Sequence, residues 1–427
     1  MNNRPLLFTL LIAGMSFGTA WAIRGQFGHE QGAAWAAGIG GLSIVLLSKR
    51  ADWYAKAFQL SLASAIGWGI GGIISYGKVV GYARGLDFGN VYYGLAMLFV
   101  IGGLFGLIGG GLFGLTLASS RSKPVNWPQL LTEMVAGAVL FYYFLIEEMG
   151  WLMTPPRSEA WAACFGIVIA LFWHMIRYRQ YAAIRVAIMA GFGGGFGFAF
   201  GNFLQVMGNS SGIKFNFWNV MEYSIGFFGG IGMAYGTFTS KWETGETDSQ
   251  KSAMITPVLL LALIIPLVVW DQSFGAERLV EIFKSADPLA DSAAVTTSVQ
   301  WISFLLATTF GAYWLYYYLK PANPFSELSA KNLHRYFLTY FGLYISFSIL
   351  ITGAFMSLYR IEQYLYIINF VVIAFLVRKS APIFSDRGLN MSRWAVNLFF
   401  TLAFLAILTA LAISSHEELK GAQLRFE

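Results

Sequence analysis

The chain has 427 residues, of which 57% are hydrophobic and only 12% charged, against about 25% charged in a soluble domain. Many apolar windows of about 20 residues occur, each long enough to cross about 30 Å of hydrocarbon, so the sequence predicts an all-α polytopic membrane protein in contact with the lipid bilayer and excludes a soluble globular fold. The net charge of +6 would suggest nucleic acid in a soluble protein. Here the cations fall in short loops between apolar runs, so they report orientation and no nucleic-acid partner is expected.

About thirteen spans are predicted, at 5–23, 30–48, 57–77, 91–118, 129–152, 158–176, 183–206, 216–238, 254–272, 297–318, 334–357, 361–377 and 392–414. The first follows a basic start at Arg4 and ends in Ala20-Trp21-Ala22, which fits the A-x-A pattern of a signal-peptide cleavage site. It is retained as a span because the repeat described below pairs it with the fifth.

The first outer connection reads Arg24-Gly25-Gln26-Phe27-Gly28-His29-Glu30-Gln31-Gly32. It is so short that its side chains must sit at the membrane boundary, where irregular backbone is tolerated only under cover of protein or water. Arg24, His29 and Glu30 are therefore candidate substrate-binding residues of a polar cavity, the plain alternative being a surface turn with Arg24 reaching the headgroups. The third span carries Gly67-Trp68-Gly69-Ile70-Gly71 through Gly77 and runs into Lys78, Tyr82, Arg84, Asp87 and Asn90; Lys78 joins the candidate set.

A second glycine run closely matches this one. With Gly67 placed on Gly191, Gly69, Gly71 and Gly77 fall on Gly193, Gly195 and Gly201, Trp68 falls on Phe192 and Tyr76 on Phe200. Ala34-Trp35-Ala36-Ala37 and Ala160-Trp161-Ala162-Ala163 repeat at nearly the same offset. Spans 1–4 and 5–8 thus read as a duplicated Gly-rich four-helix unit, residues 1–123 and 124–240, with both copies the same way up. Glycine is a poor helix former in water, but in a bilayer it lets helix backbones touch. Gly102, Gly106, Gly110 and Gly114 form one such stripe, and Gly226 and Gly230 another. After the second run come Asn202 and Gln205, further candidates for substrate binding. Glu147 and Glu148 close the fifth span and Glu222 lies a turn or two inside the eighth. Ionised groups inside a span are costly and usually face a pathway or a partner, so these three are candidate proton-coupling carboxylates. Glu147 and Glu148 could equally make an ion pair with Arg24 or Arg157.

A polar linker, 241–253, leads to a five-helix C-terminal region, 254–427, poorer in glycine. The acidic outer connection after Asp271 contains an amphipathic stretch over 277–283. Lys and Arg are concentrated on the side holding Arg4, Lys49, Arg50, Arg177, Arg179, Arg185, Arg378 and Lys379, which makes that side cytoplasmic. The N-terminus is then inside, the C-terminus outside, and the location a plasma membrane, in a prokaryote the inner membrane. A homo-oligomer is compatible with this reading.

With one cysteine, Cys164, and four histidines, no intrachain disulfide and no metal centre are expected, and no cofactor motif is present. Cations and helix N-termini gather on the outer face, and both favour anions. The expectation is a secondary transporter for a small anionic solute, bound between the two Gly-rich units. The alternative is a membrane-embedded transferase at the outer leaflet, acting on a lipid-linked or glycan substrate with His29 and Glu30 as base.

Overall fold

Inside a bilayer a backbone can satisfy its polar groups only as helix or closed barrel, and helix is what this chain forms. The computed structural model describes residues 4–120, 123–242, 251–319, 329–380, 382, 384–388, 390–417 and 419–426, and no strand occurs among them. Ten helices are long and apolar enough to cross a membrane, so the chain is a multi-pass membrane protein. Of the helices named next, Ala57–Gly72, Phe217–Phe238 and Ala330–Thr352 fall short of that length or apolarity.

The N-terminal part comprises α1 (Arg4–Arg24), α2 (Glu30–Ser48), the single turn α3 (Ala51–Tyr54), α4 (Ala57–Gly72), the short α5 (Gly77–Tyr82), α6 (Phe88–Ala118), α7 (Trp127–Tyr142), α8 (Ser158–Arg177), α9 (Tyr181–Ser210) and α10 (Phe217–Phe238). Its centre is the pair α6 and α9, held face to face by small residues. A Cβ on Gly106 would overlap the Ala190 backbone, and one on Gly114 would lie 2.8 Å from Ala183 Cα. The same device joins α4 to α6, where Gly67 would meet Gly109 Cα at 2.6 Å, and α1 to α10, where Gly226 would meet Trp21 Cβ at 2.5 Å. These stripes let backbones approach closely enough for dispersion contacts to hold helices together without a water-driven term. The α7–α8 pair, closed by Gly137 against Gly166, packs more lightly against the rest.

The C-terminal part adds α11 (Lys251–Leu259), α12 (Ile265–Ser273), α13 (Ala276–Ala286), α14 (Ser292–Leu319), α15 (Ala330–Thr352), α16 (Ile361–Lys379) and α17 (Met391–Ser415). A π-helical turn, Leu260–Ile264, joins α11 to α12 just before Pro266, which cannot donate to the carbonyl four residues back. The amphipathic stretch over 277–283 is the core of α13, with Leu279 and Phe283 on its buried face. Residues 243–250 of the polar linker lie outside the described residues.

Two elements differ from their predicted form. The predicted span 57–77 stops at Gly72, followed by an irregular turn and then α5, whereas the matching run Gly191–Gly201 stays helical throughout α9. Gly71 and Gly72 weaken the helix there, and Gly72 lies against the His29 carbonyl. The difference that follows is a single oxygen: the Tyr76 hydroxyl has ion-bearing partners to reach, and Phe200 has no hydroxyl. The predicted span 129–152 is also shorter, α7 passing into a π-helical turn, Tyr143–Glu148.

Candidate functional site

Five chain segments meet at one end of the bundle: the end of α1, the turn into α2, the break between α4 and α5, the loop before α8, and the start of α10. They enclose a cavity of about 400 Å³, lined by Arg24, Gln26, His29, Ser75, Tyr76, Arg157, Asn216, Trp218, Asn219 and Glu222 among others. The turn from α1 to α2 begins with Gln26 N–H to Ile23 O (3.0 Å) and Phe27 N–H to Arg24 O (2.9 Å). It then reverses at Gly28, whose φ of +89° is left-handed and favours glycine. The Tyr344 hydroxyl braces the turn from α15 by donating to Gly32 O at 3.0 Å.

At the buried end of the cavity, Arg24 Nη2 donates to the Tyr76 hydroxyl at 2.6 Å. That hydroxyl donates to Glu222 Oε1 at 2.8 Å, and Arg24 Nη2 lies 3.4 Å from Glu222 Oε2. Arg24 is 1% exposed and Tyr76 and Glu222 6% each. A guanidinium carries five N–H donors, yet Arg24 Nε and Nη1 have no hydrogen-bond partner among the described residues. The Arg24 guanidinium also lies 4.8 Å from the Trp21 ring centroid, a cation–π contact strengthened by burial. Beneath the triad is a layer of buried aromatics: Trp21 and Trp68 at 5.2 Å, Phe17 and Trp68 at 4.7 Å, Tyr76 and Phe198 at 5.0 Å. Of these rings only Tyr76 lines the cavity; the others pack behind Arg24 and Tyr76.

Toward the mouth the lining is polar. The Asn219 Oδ1 accepts from the Tyr366 hydroxyl. Asn216 Nδ2 donates to Glu362 Oε1 at 3.5 Å. Arg157 is exposed, as is Trp218, at 41%. His29 stacks edge-on against Tyr76 at 5.2 Å. Its pKa is pushed down to about 4, first by loss of hydration and then by the Arg24 charge, so it is neutral at pH 7. Among the described residues no three of His, Cys, Asp and Glu come together as metal ligands.

The structure thus brings Arg24, His29 and Glu222 into one cavity. It does not bring the other candidates there. Glu30 and Lys78 are exposed beside it and do not line it. Asn202 and Gln205 are buried behind α10, where Asn202 Nδ2 donates to Gln205 Oε1 at 3.1 Å. Glu147 and Glu148 are exposed on the π turn, and Glu147 Oε1 accepts from the Tyr142 hydroxyl at 2.6 Å. The ion pair offered for Glu147 or Glu148 with Arg24 does not form, since Arg24 faces Glu222. Tyr76, central to the network, was not a predicted site residue. Its only signal was a tyrosine in the place where the second glycine run has Phe200.

No family model, curated protein or solved structure matches this chain.

Proposed function

We propose that this protein is a secondary transporter for a small anionic solute, binding it in the Arg24–Tyr76–Glu222 cavity at the outer face of a plasma membrane, in a prokaryote the inner membrane. In this reading the chain crosses the membrane about thirteen times, N-terminus inside and C-terminus outside, and α1–α10 contain a duplicated four-helix unit. The cation bias of the loops supports the orientation. The duplication is supported by the matched glycine runs and by the packing of α4 on α6 and of α9 on α10, the third on the fourth span of each unit.

The observation that carries the proposal is the buried Arg24, which holds Glu222 through one hydroxyl and one long ion contact while two of its nitrogens have no hydrogen-bond partner among the described residues. A second carboxylate arriving at Arg24 would put two buried anions on one cation. Removing a carboxylate from water costs several kcal/mol unless it is fully paired. Protonation of Glu222 relieves that conflict: the proton goes on as the solute takes over Arg24, and both leave together. Tyr76 can serve either state, because its hydroxyl both donates and accepts. The aromatic layer of Trp21, Trp68 and Phe198 is the barrier that must move for passage to the other side.

A dead-end pocket over an aromatic layer would also suit a membrane-embedded transferase acting on a lipid-linked or glycan substrate at the outer leaflet.

The test is uptake into proteoliposomes under an imposed pH gradient, acid outside, with a panel of labelled small carboxylates. Gradient-driven accumulation of one of them, lost in Glu222→Gln, is expected. Uptake indifferent to both the gradient and Glu222→Gln would sink the coupling mechanism.

A further inference from the structure

The cavity wall contains more than charge, and its composition names a class of solute. This inference rests on the anion-binding reading above. Its charged lining groups are Arg24, Arg157 and Glu222, with His29 neutral at pH 7. As Glu222 is protonated, the solute takes the place of its single negative charge at Arg24, which fits a monoanion. The Arg157 guanidinium makes no hydrogen bond or ion pair with any described residue, and the side chain stands exposed at the mouth, where it can meet the solute first.

The remaining polar lining is uncharged and varied: Gln26, Ser75, Asn216 and Asn219 surround the same space. No hydrogen bond ties up the Gln26 side-chain amide, the Ser75 hydroxyl or the Asn219 side-chain nitrogen among the described residues. A bare fatty or aromatic carboxylate would displace water from these groups without replacing its hydrogen bonds, which selects against such a ligand. A ligand rich in hydroxyls would satisfy them, because a hydroxyl both donates and accepts, as do amides and serine. Trp218, 41% exposed on the wall, adds a flat apolar surface, the kind that covers the C–H face of a sugar ring while its edges hydrogen-bond elsewhere. The size agrees. At about 30 Å³ of liquid volume per water-sized atom group, a cavity of about 400 Å³ holds on the order of a dozen non-hydrogen atoms, the size of a single hexose-derived acid.

We propose that the solute is a monoanionic sugar acid, a polyhydroxylated monocarboxylate of hexose size, with its carboxylate at the arginines, its hydroxyls on Gln26, Ser75, Asn216 and Asn219, and its ring against Trp218.

The experiment is equilibrium binding to the purified full-length protein, with D-glucuronate, D-glucose, hexanoate and inorganic phosphate as probes. D-Glucuronate should bind at least about tenfold more tightly than any of the other three. Arg157→Ala should erase the preference for glucuronate over glucose. Trp218→Ala should erase much of the preference for glucuronate over hexanoate, and Trp218→Phe should keep it. Hexanoate or phosphate binding as tightly as glucuronate would overturn the sugar-acid assignment while leaving the anion-site reading standing. Glucose binding as tightly as glucuronate would overturn the assignment from the other side. Binding of none of the three anions by protein that stays folded and monodisperse would overturn both readings together.

Discussion

The Tyr76 hydroxyl donates to Glu222 Oε1 across 2.8 Å although the two residues are 146 positions apart, and the same oxygen accepts from Arg24 Nη2. One atom therefore joins the end of α1, the break after α4 and the first turns of α10. Tyr76→Phe keeps the ring against Phe198 and removes only that link. A buried donor and acceptor left unmade cost about 1–3 kcal/mol. Thermal unfolding in detergent should show a lower midpoint for Tyr76→Phe, and anion affinity should fall with it. An unchanged midpoint would mean that the hydroxyl does not bridge the two ions.

The ion pair itself makes a separate prediction. Arg24→Met alone strands the Glu222 carboxylate and Glu222→Met alone strands the guanidinium, and breaking a buried pair from one side costs about 3–5 kcal/mol. The double variant removes both charges at once and should be less destabilised than the sum of the single variants. A denaturation series on all four proteins gives the coupling, and strict additivity would count against a paired state. Anion binding should be lost in the double variant whatever its stability, because the buried cation is gone.

These two residues also show how far the sequence was legible. Composition and apolar length located the helices, because a bilayer leaves few alternatives. Arg24 and Glu222 stood out because ions inside or at the end of a span are costly. Their pairing could not be read, since nothing local in α1 points to α10. Asn202 and Gln205 looked like site residues because both are polar within an apolar helix, but residues three apart share a helix face and these two bond each other. Glu147 and Glu148 were ambiguous for the opposite reason: acids at a span end are cheap when exposed, and exposure depends on how α7 and α8 stand off from the core.

Glycine content gave the packing mode, and the structure now separates the glycines that matter. On α6, a methyl group at Gly106 would run into the Ala190 backbone, whereas one at Gly103 would come no nearer than 3.7 Å to Gly191 O. Both replacements favour helix equally, so propensity cancels in the comparison. Gly106→Ala should destabilise by about 1–3 kcal/mol through forced separation of α6 and α9, and Gly103→Ala should stay within about 0.5 kcal/mol of the parent. Thermal midpoints of the two variants, read side by side, decide the matter. Equal effects would show that the α6–α9 contact is looser than the structure has it.

The C-terminal tail bears on the site through α5. Gln423 N–H donates to Gly81 O at 3.0 Å. The buried Asn90 holds the tail at both ends of its amide, donating to Gln423 O at 2.9 Å and accepting from Arg425 N–H at 2.7 Å. Because α5 begins directly after Tyr76, the tail fixes the helix that follows the central hydroxyl. Asn90→Ala removes both clamps and should lower anion affinity without touching any group that lines the cavity. A tail synthesised as a free peptide and added to protein truncated after residue 417 should restore part of that affinity. Full affinity in the truncated protein alone would show that α5 is held by α6 without the tail.

His29 supplies the pH dependence. Its folded pKa of about 4 lies below the ordinary value of 6.5, so the unfolded chain takes up a proton that the folded chain resists. Stability tied to this group is therefore fully present above pH 6.5 and is lost progressively as pH falls toward 4, levelling off below that. His29→Gln cannot titrate and should flatten this part of the acid loss, most visibly in thermal midpoints compared at pH 7 and pH 4.5. In parent protein, the His29 ring signals followed by NMR on a sample labelled at histidine should move with a midpoint near 4. A midpoint near 6.5 would mean that neither lost hydration nor the Arg24 charge acts on the ring.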